Sequence, residues 1–270
     1  MKTVLVTGAG GSLGRVLTRR FADDGWIVRA LDNHESSLAT LKGDNVRRLL
    51  GDIRDPDRMD SALRGCDACV ACASYKNLDV TEYNLEATFD TNISGTLQTA
   101  KACSRMGVKN AILISSDKAV DPVSAYGVSK LAQERVWLWS ARTQKNTSYI
   151  IGRFGNFYGE SAGSCFEVWD HQRRSNEKIT VTDMNMERYF IRIDDVAACI
   201  LRMTKSGKSG RIYIPKMKTK NIYRLAMEYT GCEAKDIVIT GMREGEKIYE
   251  KLYSQQESTR IKDKGDYYVI

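Results

Sequence analysis

Thr3-Val4-Leu5-Val6-Thr7-Gly8-Ala9-Gly10-Gly11-Ser12-Leu13-Gly14 decides the fold. Its first five residues are a short apolar run rich in β-branched side chains, which predicts a buried strand. Gly8, Gly11 and Gly14 follow, and Leu13, Val16, Leu17 and Phe21 then recur at helical spacing. Strand, glycine turn and helix in that order place a helix N-terminus where a dinucleotide pyrophosphate can lie. The glycines permit the tight turn and the close approach of backbone to phosphate, with Ser12 and Leu13 in the same expected binding turn.

The next strand, Trp26-Ile27-Val28-Arg29-Ala30-Leu31, runs to Asp32 and Asn33. A carboxylate there accepts hydrogen bonds from the adenosine ribose hydroxyls and repels a 2′-phosphate. With no arginine directly after it, Asp32 predicts NAD rather than NADP; the plainer reading is a turn cap. Gly51-Asp52-Ile53 ends a third strand region and is expected near the adenine, although Gly-Asp is also ordinary turn chemistry.

Ser115-Ser116-Asp117-Lys118, followed by Tyr126 and Lys130, carries the expected chemistry. Tyr126 and Lys130 are four residues apart and share one helix face. An ammonium beside a phenol favours phenolate, so the Tyr126 pKa is expected to fall towards the working pH. One such pair suffices to oxidise a carbinol. The added Asp117 and Lys118 point to further proton movements, hence to a lyase or epimerase rather than a plain dehydrogenase. The competing reading of those two is a solvated pair on a loop.

Strand-like runs at 3–7, 26–31, 46–50, 67–72, 111–116 and 148–153 alternate with helix-like stretches. They predict an α/β fold, a Rossmann-type doubly wound parallel sheet with a small C-terminal substrate-binding lobe. The expected division is 1–160 for the NAD-binding domain, with 189–205 returning to it, and 161–270 mainly for the lobe. Loops carrying Gly163, Asp183 and Arg188 mark the change of pattern after Gly159. A helix is expected over Ser129 to Thr143, its tryptophans packing in the core or at a dimer interface.

The chain has 270 residues, enough for one such unit plus a lobe. No run is apolar enough to span a bilayer and the N-terminus reads as a strand, not a signal peptide, so no membrane partner is expected. Seven cysteines without a disulfide pattern suit a reducing compartment, and the expected location is the cytoplasm. Cys66, Cys69 and Cys72 fall in an apparent buried strand, where Cys69 and Cys72 face opposite ways. With only two histidines, no metal is expected. The net charge of +7 is spread along the chain without a nucleic-acid motif. It fits solvated faces or an anionic nucleotide substrate, and no nucleic acid is expected.

Longer motifs carry a resemblance. They are Tyr75-Lys76-Asn77, Glu82-Tyr83-Asn84, Thr91-Asn92-Ile93-Ser94-Gly95-Thr96, Ser116-Asp117-Lys118-Ala119-Val120-Asp121-Pro122 and Tyr126-Gly127-Val128-Ser129-Lys130. They continue through Arg153-Phe154-Gly155-Asn156-Phe157-Tyr158-Gly159, Ile179-Thr180-Val181-Thr182-Asp183, Glu187-Arg188-Tyr189-Phe190 and Arg243-Glu244-Gly245-Glu246-Lys247. The chain resembles an extended short-chain dehydrogenase/reductase, and within that group the inverting UDP-N-acetylglucosamine 4,6-dehydratases of polysaccharide biosynthesis. The short gap from Ser116-Asp117-Lys118 to Tyr126 is the most specific element.

The resemblance implies a mechanism. Tyr126 takes the proton of the sugar 4-hydroxyl, Ser116 holds the 4-oxygen, and Lys130 binds the nicotinamide ribose. Lys118 removes the C5 proton and Asp117 protonates the departing 6-hydroxyl. Gly8, Gly11, Ser12, Leu13, Gly14, Asp32, Asn33, Asp52, Ile53, Ala73 and Asn92, with Tyr126 and Lys130, form the expected cofactor set. Arg188 and Arg243 would grip the diphosphate of a UDP-sugar, with Glu246 near the uridine ribose and Asn156 and Lys76 in the pocket. The chain departs from the family pattern at Asn77, Glu244 and Asp32-Asn33, where relatives usually carry histidine, proline and Ser-Arg. A UDP-hexose 4-epimerase and a non-enzymatic dinucleotide-binding regulator are the alternatives. A homo-oligomer, dimer or higher, is expected.

Overall fold

The structure is a computed structural model and describes residues 1–159 and 164–270. Gly163 lies outside the described residues. In chain order the first half runs β1 (Thr3–Thr7), α1 (Ser12–Asp23), β2 (Ile27–Asp32), α2 (Glu35–Ala39), β3 (Val46–Leu50), α3 (Pro56–Leu63), β4 (Ala68–Ala71), α4 (Leu78–Tyr83) and α5 (Leu85–Phe89). A π-helical turn at Asp90–Ser94 leads into α6 (Gly95–Arg105), then β5 (Asn110–Ser116), a 3₁₀ turn at Asp117–Ala119, α7 (Ala125–Thr143) and β6 (Ser148–Phe154). The second half holds β7 (Asn156–Tyr158), α8 (Cys165–Arg174), β8 (Ile179–Val181), β9 (Glu187–Arg192), α9 (Ile193–Ser206), β10 (Arg211–Pro215), β11 (Lys218–Asn221), α10 (Ile222–Thr230), β12 (Ile237–Ile239), α11 (Gln255–Ser258), β13 (Lys262–Asp263) and β14 (Tyr267–Val269).

The main sheet has the order β13-β14-β10-β6-β5-β4-β1-β2-β3. Its strands from β10 to β3 pair in parallel, while β14 joins β10 antiparallel. Strand alternation divides the apolar side chains between two layers. Val4, Val6, Ile112 and Ile150 pack with Val16 and Leu17 of α1 and Val196 and Ile200 of α9. Leu5, Leu113 and Ile151 pack on the other face with Met59 of α3, Cys103 of α6 and Trp137 of α7. Helices thus cover both faces of a doubly wound α/β sheet, and truncating one such leucine to alanine would cost about 2–5 kcal/mol.

A smaller layer forms from the sheets β11-β9-β7 and β12-β8. Its core is Trp169, Ile179, Val181, Phe190, Ile222 and Leu225. The sequence division gave 211–215 and 262–269 to this lobe, but β10, β13 and β14 extend the main sheet. Ile212 and Ile214 of β10 are buried against it, and an edge beside β6 offers unpaired backbone groups that a lone lobe strand lacks.

One local feature differs from the spacing argument. Helix α7 begins at Ala125 rather than Ser129, because the Ser124 hydroxyl accepts the Gly127 N–H at 3.0 Å and caps it. Trp137 is buried and donates to the Ala111 carbonyl, whereas Trp139 is 43% exposed. Cys69 and Cys72 lie on opposite layers, as the pleat requires. Among the described residues, no helix is long and apolar enough to cross a membrane.

Candidate active site

A cleft of about 810 Å³ opens at the C-terminal ends of β1, β2, β4 and β5 and reaches the smaller layer. Such strand ends, where the sheet order reverses, collect ligands in open α/β folds. At the β1 end Gly8 has φ +65°, and a Cβ there would stand 2.7 Å from the Ala73 Cα. A Cβ on Gly14 would meet the Gly8 carbonyl. Helix α1 begins at Ser12 after Gly11, whose lack of a side chain leaves the helix N-terminus without a side-chain cap beside the cleft. Gly8, Gly11, Ser12, Leu13, Gly14, Asp32, Asn33, Asp52, Ile53 and Ala73 all line this end.

Asp32 also ties the loop together. Its carboxylate accepts the Gly10 N–H at 2.9 Å and the His34 N–H at 3.0 Å. Asp52 is bound by Arg54, whose guanidinium holds that carboxyl below its ordinary range and also reaches Asp90 at 2.8 Å. Close turn, uncapped helix end and carboxylate together fit a dinucleotide. Asn92 does not line the cleft. It is fully buried, accepts the Tyr75 N–H at 2.8 Å, and donates to the Tyr75 carbonyl and the Ser129 hydroxyl. Its side chain pins the loop after β4 to α7.

At the other end Ser116, Lys118, Tyr126 and Lys130 line the wall. Lys130 Nζ donates to the Ile114 carbonyl at 2.9 Å and to Gln133 Oε1 at 2.8 Å, and lies 5.9 Å from the Tyr126 ring centre. Burial lowers Lys130 to about 8. The Tyr126 phenol moves the opposite way from the sequence expectation. Burial pushes it above its ordinary value and the Asp117 charge adds to this, while a hydrogen bond with Ser116 opposes. Desolvation of the phenolate dominates, and the Lys130 ammonium is turned to the Ile114 carbonyl and Gln133 instead.

Asp117 is wholly buried beneath the wall rather than on it. Its Oδ1 accepts from the Ser116 hydroxyl at 3.0 Å and from Lys118 Nζ at 3.2 Å. Among the described residues its Oδ2 has no hydrogen-bond partner. A buried carboxylate oxygen without a donor is costly, and Asp117 bears that cost next to Ser116 and Lys118.

Lys76, Asn156, Arg188, Arg243 and Glu246 also line the cleft. Burial lowers Lys76 below its ordinary pKa. Asn156 donates to the Tyr189 carbonyl, and Arg188 donates to the carbonyls of Glu187 and Ile248. Arg243 and Glu246 are partners, 2.7 Å apart, and Arg243 also reaches Asp79 at 3.2 Å. Sequence reasoning missed Glu250, a buried carboxylate 3.6 Å from Lys118 Nζ. Its only signal was its place three residues after Lys247, the end of a quoted motif.

The description of one family, polysaccharide biosynthesis protein, matches residues 4–270. The chain belongs to that family. Within it, the chain is 30% identical to a UDP-N-acetylglucosamine 4,6-dehydratase (inverting) of Campylobacter jejuni, over 100% of this chain and 82% of the relative. It is 29% identical to a UDP-glucose 4-epimerase of Rickettsia bellii, with the same coverage. The crystal structure of Pen from Bacillus thuringiensis superposes with a TM-score of 0.95 at 30% identity, covering 100% of this chain and 87% of Pen. The family thus spans nucleotide-sugar dehydratases and epimerases, and its fold is the one described above.

Proposed function

We propose that this chain is a nucleotide-sugar 4,6-dehydratase that acts on UDP-N-acetylglucosamine or a related UDP-hexose with NAD as cofactor. The Asp117–Lys118 contact at 3.2 Å, beside Ser116 and Tyr126, carries this reading. It adds an acid and a base to the Tyr–Lys pair, and only elimination needs both. The glycine turn and Asp32 would hold the dinucleotide. When bound, it supplies a hydride acceptor at C4 and a hydride donor at C6.

Tyr126 takes the 4-hydroxyl proton in its phenolate form, which the positive charge of a bound nicotinamide would favour against burial, while Ser116 holds the 4-oxygen. A ketone at C4 acidifies the C5 proton, which Lys118 removes as an amine after passing its own proton to Asp117 across their 3.2 Å contact. The C5–H electron pair becomes the C5–C6 double bond as the C6–O bond breaks. Asp117 gives the proton it took from Lys118 to that oxygen, which leaves as water. Lys118 then returns a proton to C5. Arg188 and Arg243 would face the diphosphate.

The dehydratase relative supports this reading. The epimerase relative supports the runner-up, a UDP-hexose 4-epimerase, which needs Tyr126 and Lys130 but neither Asp117 nor Lys118. Exposed Val128 and Trp139 on α7 support self-association. Asp117→Asn and Lys118→Met separate the two activities. Both should abolish loss of water while leaving C4 oxidation, read as reduced-nicotinamide absorbance. Wild-type turnover in both would favour the epimerase.

A further inference from the structure

Glu250 lies far from Lys118 in sequence, yet the two approach to 3.6 Å. The Glu250 side chain is 3% exposed and that of Lys118 17%. The other Glu250 oxygen is 2.8 Å from Lys247 Nζ. A buried carboxylate is costly unless paired, and here Glu250 sits between two lysine side chains at ion-pair distance, although its Oε2 makes no hydrogen bond among the described residues. The same segment clasps the turn that carries Lys118. Lys247 donates to the Val120 carbonyl at 2.9 Å, and Lys251 is 2.8 Å from the Asp121 carboxylate. Asp121 has φ +45°, a left-handed backbone that a non-glycine residue keeps only when its surroundings hold it there.

We propose that Glu250 is a positioning residue, which acts through Lys118 to aim its Nζ into the cleft rather than leave it bound to Asp117 alone. This rests on the dehydratase reading. With Asp117 at 3.2 Å as the sole carboxylate partner, the base and the acid would close on each other and neither would reach the sugar. A second carboxylate divides the pull and leaves Asp117 free to give its proton. Removal of the Glu250 charge should therefore impair the C5 and C6 steps and spare the C4 step, which belongs to Tyr126.

The test compares wild type, Glu250→Gln and Glu250→Asp on UDP-N-acetylglucosamine and UDP-glucose in deuterated buffer. Glu250→Gln should lose about tenfold or more in C5 deuterium uptake and water release, with KM and C4 oxidation little changed. Glu250→Asp should recover part of the loss. Should Glu250→Gln not fold, Glu250→Asp, whose shorter side chain holds its charge further from Lys118, should by itself show a smaller loss of the same kind. Wild-type deuterium uptake in the variant that folds would overturn the inference and leave the dehydratase reading standing, as would a parallel fall in C4 oxidation. A wild-type enzyme that neither exchanges C5 nor releases water overturns both.

Discussion

Arg153 grips Glu134 through two hydrogen bonds of 2.9 and 2.7 Å, with both side chains almost wholly buried. The pair joins β6 to α7 one turn beyond Lys130. Glu134 also accepts from the Ser115 hydroxyl at 2.6 Å, beside Ser116, and Arg153 reaches Glu257 of α11 at 2.8 Å. Removing one member of a buried pair strands the other's charge. Arg153→Met leaves two carboxylates without their shared cation and should lower stability by about 3–5 kcal/mol in urea unfolding. A loss under about 1 kcal/mol would mean that the network contributes little net stability.

Lys130 makes stability depend on pH with a definite sign. Its folded pKa is about 8 against an ordinary 10.5. Between those values the unfolded chain holds a proton that the folded chain has released, so stability from this group rises with pH across that window. It is fully present above 10.5 and lost as pH falls through about 8. Unfolding of wild type and Lys130→Met should be followed from pH 7 to about 10. The wild type should gain relative to the variant as pH rises; parallel curves would contradict the assigned shift.

Asp32 should make NAD bind more tightly than NADP, because its carboxylate faces the cleft and repels a 2′-phosphate. Titration of both into stripped protein checks this. Asp32→Ala should narrow the preference and also loosen the glycine loop, since the Gly10 N–H loses its acceptor. A clear preference for NADP in wild type would refute the assignment.

Tyr126→Phe removes the proton acceptor for C4 while Lys130 and the glycine turn stay in place. Turnover should fall by about 10²-fold or more with cofactor affinity little changed. Near-normal turnover would place the chemistry elsewhere.

Local signals were legible in the sequence and long-range pairings were not. The glycine run, the alternating strands and the Tyr126–Lys130 spacing are each written in a short window, and all reach one cleft. Asn92 sat in a matching motif, but its partners Tyr75 and Ser129 come from separate segments. Glu250 and Lys118 meet only because the chain after α10 folds back over the turn that follows β5. The Tyr126 pKa turned on burial, which spacing alone does not report. The place of β10 and β14 in the main sheet depended on which edge was open.

Product mass after incubation with UDP-N-acetylglucosamine in deuterated buffer tests the central claim most directly. The account predicts a product that has lost one water and gained deuterium at C5, with no net reduction of the cofactor. A product of unchanged composition, altered only in its C4 configuration, would contradict it and make the chain an epimerase.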